Sequence, residues 1–216
     1  MIFNNPPEVI AMLVPVLLFS LCFHEFSHAA VARALGDPTA QRAGRLTLNP
    51  LAHLDVVGTL LLLFIGFGYA KPVPVDIRNL KHPRRDDTWI ALAGPGSNLL
   101  LAIVTGLLLR FVLLPRGMAL LGAGQAAGDV LESVIQMTYI AVQVNLSLAV
   151  FNILPIYPLD GSHVMENSLP LPQAMKFRET ARYSMIFFFI IMLVPGASRF
   201  VFAPARWLSH LILGLG

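Results

Sequence analysis

Charge, cysteine and internal repetition are what this sequence has least of. Only 12% of its 216 residues are charged, against about 25% in ordinary soluble domains. With 56% hydrophobic residues and a mean hydropathy of +0.71, that scarcity excludes a water-soluble enzyme and indicates a polytopic membrane protein. The single cysteine, Cys22, excludes an internal disulfide and any cysteine-based metal cluster. It lies two residues before His24, on roughly the opposite helix face, and reads as a packed thiol. The N-terminus lacks the basic stretch that opens a signal peptide, so no cleavage is expected. No repeat is visible, and many transporters show one. The net charge of +3 and pI near 9.4 do not indicate nucleic acid. The basic residues sit in short loops between apolar runs, where they act as topology signals.

What is present centres on Phe19-Ser20-Leu21-Cys22-Phe23-His24-Glu25-Phe26-Ser27-His28. His24 and His28 are four residues apart and share one face of a helix. With Glu25 between them they form H-E-x-x-H, in which two neutral imidazoles hold zinc and a carboxylate takes a proton from the metal-bound water. The helix around them reads as a membrane span. Ionisable groups at the centre of a span cost roughly 2.5–3.5 kcal/mol each on insertion scales, and three side by side need a compensating partner. A bound metal supplies one.

The expected fold is all-α, a compact membrane bundle of about five or six transmembrane helices in a single domain over 1–216. It also has a re-entrant segment and a small interfacial β element. Residues 8–34 form the first helix, ended by Gly36-Asp37-Pro38. Arg45-Leu46-Thr47-Leu48 alternates like a short strand. The apolar run within 51–70 is too short and glycine-broken for a span and fits a re-entrant segment. In 71–77, Val73, Val75 and Ile77 alternate with Pro72, Pro74 and Asp76. The prolines disable one edge of this extended stretch and leave the edge of Val73, Val75 and Ile77 able to pair. Spans follow at 89–114 and 130–154. Residues 164–182 read as a connection, and the apolar tail 183–216 as one or two further helices.

Catalytic zinc usually has three protein ligands and an open position. The best candidate for the third is Asp160, an acid in a Pro-Leu-Asp-Gly turn at the end of a span. Charge bias puts the basic loops 39–50, 71–88 and 164–182 in the cytoplasm. The end of the first helix and the Asp160 turn then arrive on one side of the membrane, provided that 51–70 does not cross. The alternative for Asp160 is an Asp-Gly turn with no ligand role.

HEFSH in the first helix, AGPGSN at 93–98 and NILPIYPLDG at 152–161 together resemble the site-2 proteases, zinc metalloproteases that cut substrates within the membrane. NPLAHLD at 49–55 and AKPVPV at 70–75 are similar to the compact prokaryotic branch. The resemblance covers about 18–165, within a catalytic core of about 8–165. It implies one catalytic Zn2+ per chain held by His24, His28 and Asp160, with Glu25 as the catalytic residue. It also implies a site inside a prokaryotic cell membrane toward the cytoplasm, and transmembrane proteins as substrates. The chain has no room for the PDZ or CBS domains of larger members, so regulation by them is not implied.

Other candidates stay open at this level. Asn152 fits an oxyanion donor, a substrate-backbone contact or a helix–helix hydrogen bond. Asn98 reads as structural. His53 fits a cleft-lining or supporting position, or an ordinary interfacial histidine. The edge of Val73, Val75 and Ile77 fits strand addition by substrate, or pairing with 45–48. Two other function classes compete: a membrane metal transporter, and an inactive scaffold of the same fold. The expected partners are a transmembrane substrate and the bilayer, and no oligomer is argued.

Overall fold

The computed structural model describes residues 6–55, 57–58, 70–116, 125–184, 186 and 196–214. Among these every regular element is a helix, with no strand. Three stretches are long and apolar enough to cross a membrane: Pro7–Ala34, Pro83–Arg116 and Gly128–Asn152. The chain is thus a membrane protein with an α-helical core. The expected re-entrant turn within 51–70, and much of the tail after 183, lie outside the described residues.

Helix α1 spans Pro7–Ala34. Pro7 sits in its first turn, where the absent N–H has no intrahelical partner to lose. The chain leaves α1 through Gly36, whose φ of 110° favours glycine. Asp37 follows, then the one-turn helix α2, Thr39–Arg42. Helix α3 runs Pro83–Leu108 and continues as a wider π turn over Leu109–Leu113. Helix α4 runs Gln125–Asn152. Two short helices occupy the stretch read as a connection: α5, Asp160–Ser168, and α6, Leu171–Glu179, separated by Pro170. Near the C-terminus stand α7, Ala197–Val201, and α8, Ala203–Leu213.

The three long helices pack on one another, with α3 in contact with both α1 and α4. One buried cluster joins Ala102 of α3, Val142 and Leu146 of α4 and Ala205 of α8. Another joins Ala32 of α1, Leu80 and Ile90, closing the end of the bundle where α1 and α3 meet. Large apolar residues such as Leu100 and Val104 of α3 and Phe111 of the π turn remain exposed, as expected of side chains turned to lipid.

Among the described residues the expected β element is absent. Residues 71–76 are extended but join no ladder, and 45–48 form no strand. Side chains occupy the backbone groups that a ladder would use. Arg45 donates to the carbonyls of Lys71 and Pro72 at 2.5 and 3.3 Å. Asp37, fully buried, accepts the N–H of Asp76 at 2.8 Å. Ile77 is not part of the extended stretch. It opens a single 3-10 turn, Ile77–Asn79, capped by the Asp76 side chain. The N–H of Lys71 donates to the carbonyl of His53 at 2.8 Å, so the two ends of the stretch 54–70 are held together beside the end of α1.

Candidate metal centre

The polar groups of α1 lie on one stripe. Ser20, His24 and His28 are all buried and recur every fourth residue, so each stands about one turn beyond the last. Helix α3 presents a matching stripe at the same spacing: Asp86, Ile90, Gly94, Asn98, Ala102 and Gly106 are buried. Small residues there let the two backbones approach closely.

Hydrogen bonds across this contact decide which nitrogen of each imidazole carries the proton. Nδ1 of His28 is 2.7 Å from the Ile90 carbonyl. A carbonyl only accepts, so the His28 proton is on Nδ1. Nδ1 of His24 is 2.6 Å from Oδ1 of Asn98. Asn98 is oriented because its amide nitrogen donates to the Ser20 carbonyl at 3.3 Å, leaving its oxygen toward His24. Both histidines therefore donate through Nδ1 and carry a lone pair on Nε2.

Those lone pairs meet a carboxylate. The two Nε2 atoms are 3.1 Å apart. Asp160 Oδ2 is 3.1 Å from His24 Nε2, and Oδ1 is 3.4 Å from His28 Nε2. Among the described residues Asp160 Oδ2 meets no hydrogen-bond donor although it is buried. Converging acceptors of this kind repel unless a cation lies among them. Two imidazoles and one carboxylate are a catalytic zinc donor set. Ligand atoms around a tetrahedral ion with bonds of about 2.0–2.1 Å stand roughly 3.3–3.4 Å apart, close to the spacing here. The neighbouring wall is kept open by Gly94. A Cβ there would stand 2.4 Å from His28 Nε2 and 2.5 Å from His24 Nε2. The residues fit the ion.

Asp160 reaches the site because α4 ends at Asn152 and a proline-broken turn leads into α5, which Asp160 opens. The following Gly161 is needed for close approach, since a Cβ would lie 2.1 Å from the Ile153 carbonyl. The next turns of α5 are fastened to α3. Nδ1 of His163 and the amide of Asn167 both donate to Asp87 Oδ2, at 3.1 and 2.7 Å. The bond to Asp87 is the main reason the His163 imidazole is held above its ordinary pKa, against the effect of burial.

Glu25 is buried beside the two histidines. Its Oε2 accepts the N–H of Val73 at 3.1 Å, which places the extended stretch 71–76 against the centre. That stretch is held from behind by Arg45 and Asp37. Burial works against the Asp37 carboxylate, but hydrogen bonds from Thr39, Asp76 and Asn79 outweigh it and hold its pKa below the usual range.

The structure thus brings together His24, Glu25, His28 and Asp160, with Val73 beside them. Val75 is half-buried in the same stretch, whereas Ile77 is exposed in the 3-10 turn. His53 is buried within the supporting loop. Its Nδ1 accepts from Arg45 at 3.3 Å and its Nε2 donates to the Thr47 carbonyl at 2.8 Å. The amide of Asn152 turns back along its own helix and donates to Leu148 at 3.0 Å. From the sequence, Gly94 reads only as a small residue allowing close helix approach, and Asn98 as structural. The four-residue spacing of these two on one helix, matching His24 and His28 on another, is the signal that connects them to the site.

The model of peptidase family M50 matches residues 12–194. Similar proteins, each named as a "putative zinc metalloprotease", occur in several organisms. YwhC of Bacillus subtilis is 40% identical over 190 residues, covering 88% of this chain and 84% of its own. Rip2 of Mycobacterium tuberculosis is 30% identical over 211 residues, covering 94% of this chain and 74% of its own. MJ0611 of Methanocaldococcus jannaschii is 31% identical over 144 residues, covering 67% of this chain and 63% of its own. No solved structure matches.

Proposed function

The chain belongs to peptidase family M50, the family of the site-2 proteases, and from that membership we propose that this zinc metalloprotease hydrolyses peptide bonds of transmembrane proteins within the bilayer. The observation that carries the reading is the convergence of His24, His28 and Asp160, drawn from two separate helices, with donor atoms 3.1–3.4 Å apart. In this reading those three residues hold one zinc ion, which supplies Lewis acidity toward water and the scissile carbonyl.

Glu25 is the general base in this reading. It takes a proton from the attacking water on its carboxylate and delivers it to the leaving amine. Burial of Glu25 and both histidines keeps bulk water from competing. Substrate must be extended to be cut, because a helical peptide bond is sheathed by its own hydrogen bonds. The stretch 71–76, lying against Glu25, supports a role in pairing with the substrate backbone through Val75, since the Val73 N–H is already taken by Glu25. The pairing of Lys71 with His53 supports a topology in which 71–88 and the end of α1 share the cytoplasmic side. An accessibility scan finding 71–88 outside would overturn that topology.

The deciding experiment is reconstitution of wild type and Glu25→Gln with a single-span substrate in vesicles. Cleavage is expected to vanish in the variant while zinc content stays at the wild-type level. Cleavage that persists in Glu25→Gln would overturn the assignment of the base. Zinc movement across the vesicle wall without cleavage by wild type would instead identify a transporter.

A further inference from the structure

We propose that Asn145 is a positioning residue of the metal centre, acting through Asn98 to hold His24 in the one tautomer that can bind a metal. The proposal rests on the zinc reading of the site and adds to it a residue that touches neither the ion nor a ligand.

Asn145 lies on α4, 2% exposed, and Asn98 on α3, fully buried. The amide nitrogen of Asn98 donates to Oδ1 of Asn145 at 2.8 Å, and Oδ1 of Asn98 takes the Nδ1–H of His24 at 2.6 Å. The Asn145 amide nitrogen donates to the Ser20 hydroxyl at 2.9 Å and to the Ala141 carbonyl at 2.9 Å. One connected network therefore joins α1, α3 and α4 at the depth of the metal ligands.

The network has a direction, and main-chain carbonyls set it. Ala141 offers only an acceptor, so the NH2 of Asn145 must face it and the oxygen must face Asn98. That oxygen, with the Ser20 carbonyl, requires the NH2 of Asn98 on its side, which leaves the Asn98 oxygen toward His24. The His24 proton is then drawn to Nδ1 and the Nε2 lone pair is left for the ion. Were Asn98 reversed, its NH2 would face Nδ1. The histidine proton would move to Nε2, pointing at His28 and Asp160, and metal binding would have to expel it. In a water-poor span, a reversed amide would also leave buried groups unpaired, a penalty that water cannot relieve. Asn145 thus makes the reversed state of Asn98 costly. His28 needs no such device, because a carbonyl, which cannot reverse, already takes its Nδ1–H.

The test is a double-mutant cycle on zinc affinity, read by competition with a chromogenic chelator on detergent-purified full chain. Asn98→Ala and Asn145→Ala are each expected to weaken zinc binding by about ten- to a hundredfold, the usual range for groups supporting a ligand. The double variant should bind no more weakly than Asn98→Ala alone, since Asn145 acts only through Asn98. A control, Gln143→Ala, removes the bond between α4 and Ser209 of α8 and should leave zinc affinity unchanged even where it lowers stability. Asn145→Asp, which keeps an acceptor for Asn98, should stay within a few-fold of wild type, and it decides the matter should Asn145→Ala fail to fold. Losses that simply add in the double variant, or an Asn145→Asp as weak as Asn98→Ala, would overturn the relay while leaving the zinc site standing. Wild type that takes up no zinc would overturn both.

Discussion

The backbone N–H of Val73 donates to the Glu25 carboxylate at 3.1 Å, which ties the extended stretch 71–76 to the residue assigned as general base. Val73→Pro deletes that donor while leaving the extended conformation available, because its neighbours Pro72 and Pro74 already impose it. A hydrogen bond to a charged group contributes about 1.5–3 kcal/mol. Cleavage should therefore fall by roughly ten- to a hundredfold, with zinc content unchanged. Val75→Pro touches no bond to Glu25 and isolates pairing with the substrate. Full activity in a well-folded Val75→Pro would remove strand addition from the mechanism.

Gly94 bounds the metal centre on the side of α3. A methyl group there would stand 2.4–2.5 Å from both Nε2 atoms, nearer than non-bonded atoms approach. The helix cannot back away easily, since Ile90 and Asn98 on the same face are bonded to His28 and His24. Gly94→Ala is expected to abolish stoichiometric zinc binding and cleavage together while the helical bundle persists. Gly96→Ala, where no atom lies within 4 Å of an added Cβ, should be silent in both. Metal analysis beside circular dichroism reads the pair. Zinc retained by Gly94→Ala would place the ion elsewhere.

The contrast between these residues shows what sequence alone could convey. His24, Glu25 and His28 were legible because their meaning is local: spacing on one helix, in a stretch too apolar to hold charges idly. Asp160 needed a topological argument, and the structure places its Oδ2 3.1 Å from Nε2 of His24. Gly94 and Asn98 acquire a role only from the facing helix, and no periodicity in α3 says which helix that is. The strand read at 45–48 and 71–77 failed for a different reason. Alternation is a statement about side-chain faces, whereas a ladder needs free backbone groups, and here Arg45 and Asp37 engage them from a distance in sequence. The connection 164–182 proved to hold the end of α5 and all of α6, short helices fixed by polar bonds: α5 to Asp87 near the start of α3, and α6 to Glu166 of α5 through Arg178.

Asp87 illustrates the last point and makes a separate prediction. It fastens α5 to α3 by accepting from His163 and Asn167, which lie three and seven residues beyond Asp160 and so follow it along one helix face. Asp87→Leu removes both bonds. His163 is about half exposed, so solvent screens its share, and the net effect on stability is about 1 kcal/mol. The larger consequence should be positional, because α5 carries Asp160, the proposed third ligand. Zinc affinity is expected to fall with that of Asp160→Ala as the lower limit. Equal affinities for wild type and Asp87→Leu would show that the turn before Asp160 holds it unaided.

The attachments of α5 should also fail at opposite ends of the pH scale. His163 is faced by Asp87, Asp160 and Glu166, and its pKa is raised, chiefly by the bond to Asp87. A raised histidine adds stability that is full below its ordinary value near 6.5 and disappears as pH climbs through the raised one. Glu166 accepts from Tyr157 and Arg178. Burial works against its charge, but these partners outweigh it and hold its pKa below the ordinary 4.5. Its contribution is therefore complete above that value and is lost as pH falls through the lowered one. Thermal unfolding of the zinc-loaded protein should show a plateau between these limits with a shoulder on each side. Glu166→Gln should reduce the acid shoulder and leave the alkaline one, whereas His163→Gln should remove the alkaline one and also trim the acid one, because the charged His163 also stabilises the Asp87 carboxylate it bonds to. Because the two groups sit on successive turns of one short helix, a Glu166→Gln variant that flattened both would mean that α5 detaches as a unit. The two bonds would then be one cooperative clasp on Asp160, the proposed third ligand.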